Sequence, residues 1–166
     1  MKRHLEYIQF QGIGMMSKII QHWTRDTDSH SAVLDREKHD GQQIIEQWPH
    51  KGGSRSYMGY SDFSAHNVGT PYQIWSLEVS EFDYDWVMNE YRRSAAKQLE
   101  YDWSGIIGFG FHGSGDPDKT FCSEEMITHL AICMGWTQIR PETISPGMFR
   151  NLLQAAGAKP TIKGVV

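Results

Sequence analysis

The sequence contains no apolar run that could cross a membrane. A membrane-spanning helix needs about 18 or more consecutive apolar residues, and no such stretch occurs. The opening segment MKRHLEYIQFQG carries basic side chains but lacks the continuous apolar stretch of a signal peptide. We therefore expect a cytoplasmic protein with no transmembrane segment.

Clusters of positive charge are also missing. Lys and Arg number 16 against 20 Asp and Glu, and the net charge of −4 is spread along the chain. Nucleic-acid-binding proteins typically concentrate basic residues in a patch or stripe, so we expect no nucleic-acid partner. The glycine-rich stretch GFGFHGSG lacks the Lys-Ser/Thr that completes a phosphate-binding P-loop, and no cofactor is predicted.

Cysteine is scarce, since only Cys122 and Cys133 occur. Both fall in a segment with helical spacing, where a rise of about 1.5 Å per residue would keep them about 16 Å apart. A disulfide between them is therefore excluded by the predicted helix. Two free thiols agree with a reducing compartment.

Hydrophobic residues make up 39% of the chain and aromatic residues 12%, which is enough for one sizeable core. We predict a single domain over residues 1–166. Apolar alternation predicts strands, and apolar spacing of three and four predicts helices. The predicted strands are 5–10, 31–34, 42–48 and 72–79; the predicted helices are 15–23, 82–99, one beginning near Cys122, and one over 146–156. Residues 49–70 are predicted to be a long surface excursion, and 104–119 a glycine-rich segment.

Three ionisable side chains stand at positions that favour nucleophilic chemistry. His30 opens one predicted strand, and Glu46 lies within its neighbour. Cys122 falls in the first turn of a predicted helix, where unpaired backbone N–H groups and the helix dipole stabilise a thiolate. The pattern alone leaves ordinary roles open: a buried packing cysteine, a strand-end hydrogen-bonding histidine and a solvent-facing glutamate.

Two motifs resemble the circularly permuted papain-like cysteine peptidases, an NlpC-type superfamily that includes the YiiX-like amidases and, more distantly, the lecithin:retinol acyltransferases. The segment SKIIQHWTRDTDSHSAVL is similar to the family's histidine region, and TFCSEEMITHL is similar to its cysteine helix. Weaker similarities are Ile44-Ile45-Glu46, the Tyr101-Asp102 segment and the Ser145-Pro146-Gly147 approach to the final helix.

The resemblance implies an α+β, permuted papain-like fold in which an antiparallel sheet or small barrel packs against the helix that carries the cysteine. It implies a cysteine hydrolase of amide or peptide bonds, acting on peptidoglycan-type or other short peptides. Cys122 would be the nucleophile, His30 the base, and Glu46 the group that orients the imidazole. Tyr101, Ser123 and Trp23 are the further oxyanion or substrate candidates.

Other functions remain open at this point. The same thioester chemistry could serve an acyltransferase or thioesterase, and a binding module could keep the fold with a silent Cys122. Cys122 and His129 are the one candidate pair for zinc, but they lie two helical turns apart with no second ligand pair, so we predict no metal. The expected partner is a small peptide, amide or acyl substrate, and the oligomeric state is not predicted.

Overall fold

A computed structural model describes residues 1–49, 56–98, 100–101, 119–120 and 122–166. For residues 48, 49, 56, 57, 100, 101, 119 and 120 it describes the backbone alone. The strands are β1 (Lys2–Phe10), β2 (His30–Leu34), β3 (Ile44–Pro49), β4 (Ser56–Ser61), β5 (Pro71–Ser80), β6 (Glu100–Tyr101), β7 (Lys119–Thr120) and β8 (Lys159–Val165).

These strands form one sheet in the order β7-β6-β4-β3-β2-β1-β5-β8. The six longer strands are antiparallel throughout, and the two-residue strands β6 and β7 extend the edge at β4. Strand β1 lies near the middle, where it pairs with β2 on one side and β5 on the other. The sheet therefore holds β2 and β3, which carry His30 and Glu46, away from its edges.

The described helices are α1 (Met15–Thr24), α2 (Glu81–Lys97), α3 (Cys122–Cys133) and α4 (Pro146–Ala155). Short 3₁₀ turns occur at Phe63–Ala65 and Pro141–Thr143. Helix α2 begins after Ser80, whose hydroxyl accepts the Asp83 N–H, and α4 begins after Ser145, whose hydroxyl accepts the Met148 N–H. These caps satisfy backbone donors at the helix starts and so define where each helix begins.

The sheet buries apolar side chains on both faces. One cluster combines strand residues such as Tyr7, Val33 and Ile45 with residues of α2, α3 and α4. The alternate strand positions form a second cluster, closed by Phe63, Tyr72 and Val166; its buried members are Ile8, Phe10, Ala32, Leu34, Ile44 and Ile74. His30 and Glu46 are in phase with this second set, because side chains two residues apart share a face.

The α+β class and most of the predicted elements are confirmed. The prediction of a surface excursion over 49–70 is wrong, because Ser56–Ser61 forms β4 and pairs with the whole of β3. Residues 50–55, Leu99 and most of the glycine-rich segment lie outside the described residues. Strand β8 was not predicted, since most of its side chains are exposed and it shows little apolar alternation.

Among the described residues, none of the helices has the length and apolar character needed to cross a membrane.

Candidate active site

The register of β2 and β3 brings His30 to Glu46. Val33 lies opposite Ile45, and continuing that register places His30 opposite residue 48. Glu46 is then the diagonal neighbour of His30 on the same face, within reach of a long side chain. His30 Nε2 and Glu46 Oε2 are 2.6 Å apart. The predicted pairing of these two side chains is therefore present in the structure.

Glu46 is buried, with 1% of its surface exposed, and its contacts with His30, His66 and Ser61 favour its charged form. The Ser61 hydroxyl donates to Oε1, and His66 Nε2 lies 3.2 Å from Oε2. Burial alone raises the pKa of Glu46, but the contacts with His30 and His66 outweigh it and lower the pKa from 4.5 to about 2. Glu46 is thus a carboxylate at neutral pH despite its burial.

His66 and Ser61 are site residues that were not predicted from the sequence. The His66 ring stacks on Phe10, with centroids 3.7 Å apart and planes inclined by 16°. Phe10 also lies beside His30, at 5.8 Å between ring centroids. The signal that could have found Ser61 is the pair Tyr57 and Tyr60, since tyrosine is enriched in strands and a strand here would have placed Ser61 beside β3. The sequence holds no comparable signal for His66.

Cys122 is the first residue of α3 and is buried, with 3% of its surface exposed. Its side chain is hydrogen-bonded to the side chain of His30. Burial alone lowers the pKa of His30, but Cys122 and Glu46 raise it above its ordinary value of 6.5. The three residues therefore form one continuous chain of hydrogen bonds.

Helix α3 is held firmly at the end that carries Cys122. The Ser123 hydroxyl donates to the Ile144 carbonyl at 2.6 Å, and the Tyr91 hydroxyl donates to the Met126 carbonyl at 2.6 Å. Met126, Ile127 and Leu130 are fully buried in the helix-facing cluster. A fixed helix start keeps the sulfur and the nearby backbone N–H groups in one arrangement, as preorganised catalysis requires.

The structure places the other three predicted candidates, Ser123, Trp23 and Tyr101, on three different elements. Ser123 is fully buried and its hydroxyl is bound to Ile144, so this group serves the protein interior and not a substrate. Trp23 lies on α1 with 49% of its surface exposed. The backbone of Tyr101 pairs with Thr120 across β6 and β7, but the side chain of Tyr101 lies outside the described part of the chain.

The possible zinc pair of Cys122 and His129 is not assembled. His129 Nε2 lies 3.0 Å from Glu125 Oε1, and its ring packs edge-on against Tyr91 at 5.3 Å. Over the described ranges, no group of three or more His, Cys, Asp or Glu residues is placed to hold a metal ion. The arrangement that is present, Glu46 with His30 and Cys122, can move a proton and activate a thiol.

Comparison with models of known protein families and with curated protein sequences finds no match for this chain.

Proposed function

We propose that this chain is a cysteine hydrolase that cleaves amide bonds, including peptide bonds, through an acyl-thioester intermediate. The observation that carries the proposal is the hydrogen-bonded chain from Glu46 through His30 to Cys122, with the sulfur at the first residue of a helix. The resemblance of both motifs to the permuted papain-like peptidases supports the same chemistry. The order of roles is nucleophile Cys122, base His30 and orienting carboxylate Glu46.

In the first half-reaction, His30 takes the proton of the Cys122 thiol, and the thiolate attacks the substrate carbonyl carbon. The carbonyl oxygen becomes an oxyanion, which backbone N–H groups in the first turn of α3 would stabilise. His30 then gives its proton to the amide nitrogen, the C–N bond breaks and the amine leaves. The acyl group remains on sulfur as a thioester.

In the second half-reaction, His30 takes a proton from water, which attacks the thioester carbonyl. The C–S bond breaks, the carboxylic acid leaves, and the proton returns to sulfur. Glu46 stabilises the imidazolium that forms in both halves, because its low pKa keeps it charged beside His30. Neither half requires a metal or an organic cofactor.

The substrate class proposed is short peptides, those of the peptidoglycan type included, since this is what the resemblance implies. A second candidate is acyl transfer, in which an alcohol, an amine or a lipid takes the place of water. The two reactions share every residue up to the thioester, so the same triad supports both. They differ only in which acceptor reaches the acyl carbon.

The first experiment measures alkylation of Cys122 by iodoacetamide between pH 5 and 9, by peptide mass spectrometry. Cys133 is the internal control, because burial and the neighbouring Asp83 raise its pKa to about 11 and it should react slowly. We expect Cys122 to react much faster than Cys133 below pH 7, and to lose this advantage in His30→Ala. His129→Ala, which changes a histidine on the same helix as Cys122, should leave the rate unchanged.

Equal and slow alkylation of the two cysteines in the folded wild-type protein would overturn the proposal and favour a binding module. If Cys122 is reactive, acyl-peptide substrates are tested with and without an added amine acceptor. Release of a free carboxylic acid indicates hydrolysis, whereas an acylated amine indicates transfer. Cys122→Ala should abolish both products.

A further inference from the structure

Exposed apolar side chains are concentrated on α1 and the residues just before it. Over the described part of the chain, twelve large apolar side chains are exposed, and five of them fall between residues 13 and 23. Isolated exposed apolar residues are normal on a protein surface, but a contiguous group indicates a surface that meets a partner. The five are Ile13, Met15, Met16, Ile19 and Trp23, with exposed fractions of 38% to 77%.

Helical geometry gathers four of these residues, Met15, Met16, Ile19 and Trp23, on one outward face. Met15, Ile19 and Trp23 follow one another at intervals of four, which places them along one stripe of α1. Ile20 is the only residue of α1 that is buried. Val68, which is 87% exposed, lies in the turn beside Ile13, since a Cβ at neighbouring Gly69 would come within 3.9 Å of Ile13 Cδ1. We call these six residues, Ile13 to Trp23 as named above and Val68, the α1 apolar face.

The charged side chains of residues 11–25 have one sign, and the next residue, Asp26, is paired with Arg150. Residues 11–25 contain Lys18, His22 and Arg25, all exposed, and no Asp or Glu, although the whole chain carries a net charge of −4. On the helix, Lys18 lies one turn from Met15 and His22 one turn from Ile19, so basic groups border the apolar stripe. An apolar stripe with a tryptophan, bordered by basic side chains, is the pattern of helices that lie in a membrane interface.

We propose that α1 docks this protein onto the surface of an anionic lipid bilayer, with the α1 apolar face entering the headgroup region. A second copy of the chain fits this surface less well. A single ten-residue helix offers much less area than the roughly 800 Å² per partner of a stable protein interface. Self-association through it would also bring the basic groups of two copies together with no acidic residue of the segment to pair them.

The docking helix is next to the Cys122 site. Helix α1 connects β1, whose last residue Phe10 pairs with His30, to the turn that leads into His30. The Gly12 N–H donates to the Ser29 hydroxyl at 2.9 Å, one residue before His30. Docking would therefore hold the site close to the boundary between lipid and water. The docking itself does not rest on the proposed chemistry, and its test needs no substrate.

The test is co-sedimentation of the full chain with phosphatidylcholine vesicles that contain or lack phosphatidylglycerol. We expect binding to the anionic vesicles that weakens as salt is added, because the basic border acts through screened charge. Ile19→Glu should weaken binding about tenfold or more, since it puts a charge on the inserted stripe. Lys18→Gln should weaken it about fivefold, through the loss of one positive charge near the surface.

Phe82→Glu is the matched control. Phe82 is 78% exposed at the start of α2. It lies near Lys2, at one end of β1, whereas α1 follows Phe10 at the other end, so this change should leave vesicle binding unaltered. Failure to sediment with anionic vesicles at low salt would overturn the proposal, as would equal binding by wild type and Ile19→Glu. A concentration-dependent dimer in light scattering that Ile19→Glu abolishes would assign the face to a second copy and would also overturn it.

Discussion

His66 Nε2 lies 3.2 Å from Glu46 Oε2, the same oxygen that binds His30 Nε2 at 2.6 Å. One carboxylate oxygen thus serves two imidazole rings, while Ser61 donates to the other oxygen. Stacking on Phe10 holds the plane of the His66 ring. Glu46 is therefore held in position by three side chains, only one of which belongs to the proposed catalytic chain.

We expect His66→Phe to keep the stack on Phe10 but to remove one of the contacts that lower the pKa of Glu46. The acid limb of the Cys122 alkylation profile should then move to higher pH, because Glu46 becomes easier to protonate. The loss of a contact to a buried charge should slow alkylation at neutral pH by about tenfold. The measurement is the alkylation rate from pH 3 to 8. His39→Phe, in an exposed turn, is the control, and superimposable profiles for all three proteins would contradict the prediction.

The stability of the fold should depend on pH through the same pair. The pKa of Glu46 is lowered from 4.5 to about 2, so its contribution is present above pH 4.5 and is lost as pH falls toward 2. The pKa of His30 is raised above 6.5, so its contribution is present below pH 6.5 and is lost as pH rises through the raised value. The contribution of this pair to the melting temperature should therefore be greatest from about pH 4.5 to 6.5, which thermal melting across pH measures.

Glu46→Gln distinguishes the contribution of Glu46 to acid unfolding from the contributions of the other carboxylates. The acid-side decline in melting temperature should become shallower, because the variant has no carboxylate to protonate at this position. Its Cys122 alkylation at neutral pH should fall by roughly a hundredfold, since the imidazolium loses its partner. An unchanged acid limb in the melting data would show that other groups control it.

Ser123→Ala should affect stability and leave the thiol reactive. The variant removes a buried hydrogen bond to the Ile144 carbonyl and should cost about 1–2 kcal/mol in the free energy of unfolding, measured in urea. The matched control is Thr128→Ala. The Thr128 hydroxyl donates to the Glu124 carbonyl on the half-buried side of the same helix, so losing this hydrogen bond should lower the free energy of unfolding by less. A large fall in Cys122 alkylation in folded Ser123→Ala would instead assign Ser123 a role in the site.

Arg150 secures the turn before His30. It donates to Asp28 at 2.7 Å and to Asp26 at 3.0 Å. Burial raises the pKa of Asp28, and Arg150 opposes that rise, so Arg150→Ala leaves a buried carboxylate without its cation. We expect Arg150→Ala to lower the free energy of unfolding by about 2 kcal/mol. This value lies between those of buried and exposed ion pairs, because the Arg150 side chain is partly exposed.

Arg140→Ala is the control for this change, since the Arg140 side chain is 71% exposed and pairs with nearby Glu142. Arg140→Ala should leave the free energy of unfolding almost unchanged. Urea unfolding measures both variants, and equal costs for the two would contradict the role assigned to Arg150.

Local patterning determined most of the secondary structure. The stripe of Val87, Tyr91 and Ala95 predicted α2, and all three residues are buried. Ser145, Pro146 and Gly157 predicted the limits of α4, and Gly157 has the positive φ of 91° that suits a glycine after a helix. These signals lie within one or two turns of the chain, so the amino-acid sequence alone displays them.

The sequence by itself also determined which residue types stand where a thiol, an imidazole and a carboxylate are needed, at Cys122, His30 and Glu46. Only the tertiary structure decided that β4 pairs with β3, that Ser61 and His66 both reach Glu46, and that β8 closes an edge of the sheet. These contacts join residues far apart along the chain or across loops, and strand pairing depends on partners that no local periodicity specifies. Both the sequence and the tertiary structure define the outward face of α1. The apolar stripe is visible in the sequence, but its exposure follows from how the helix packs on the rest of the protein.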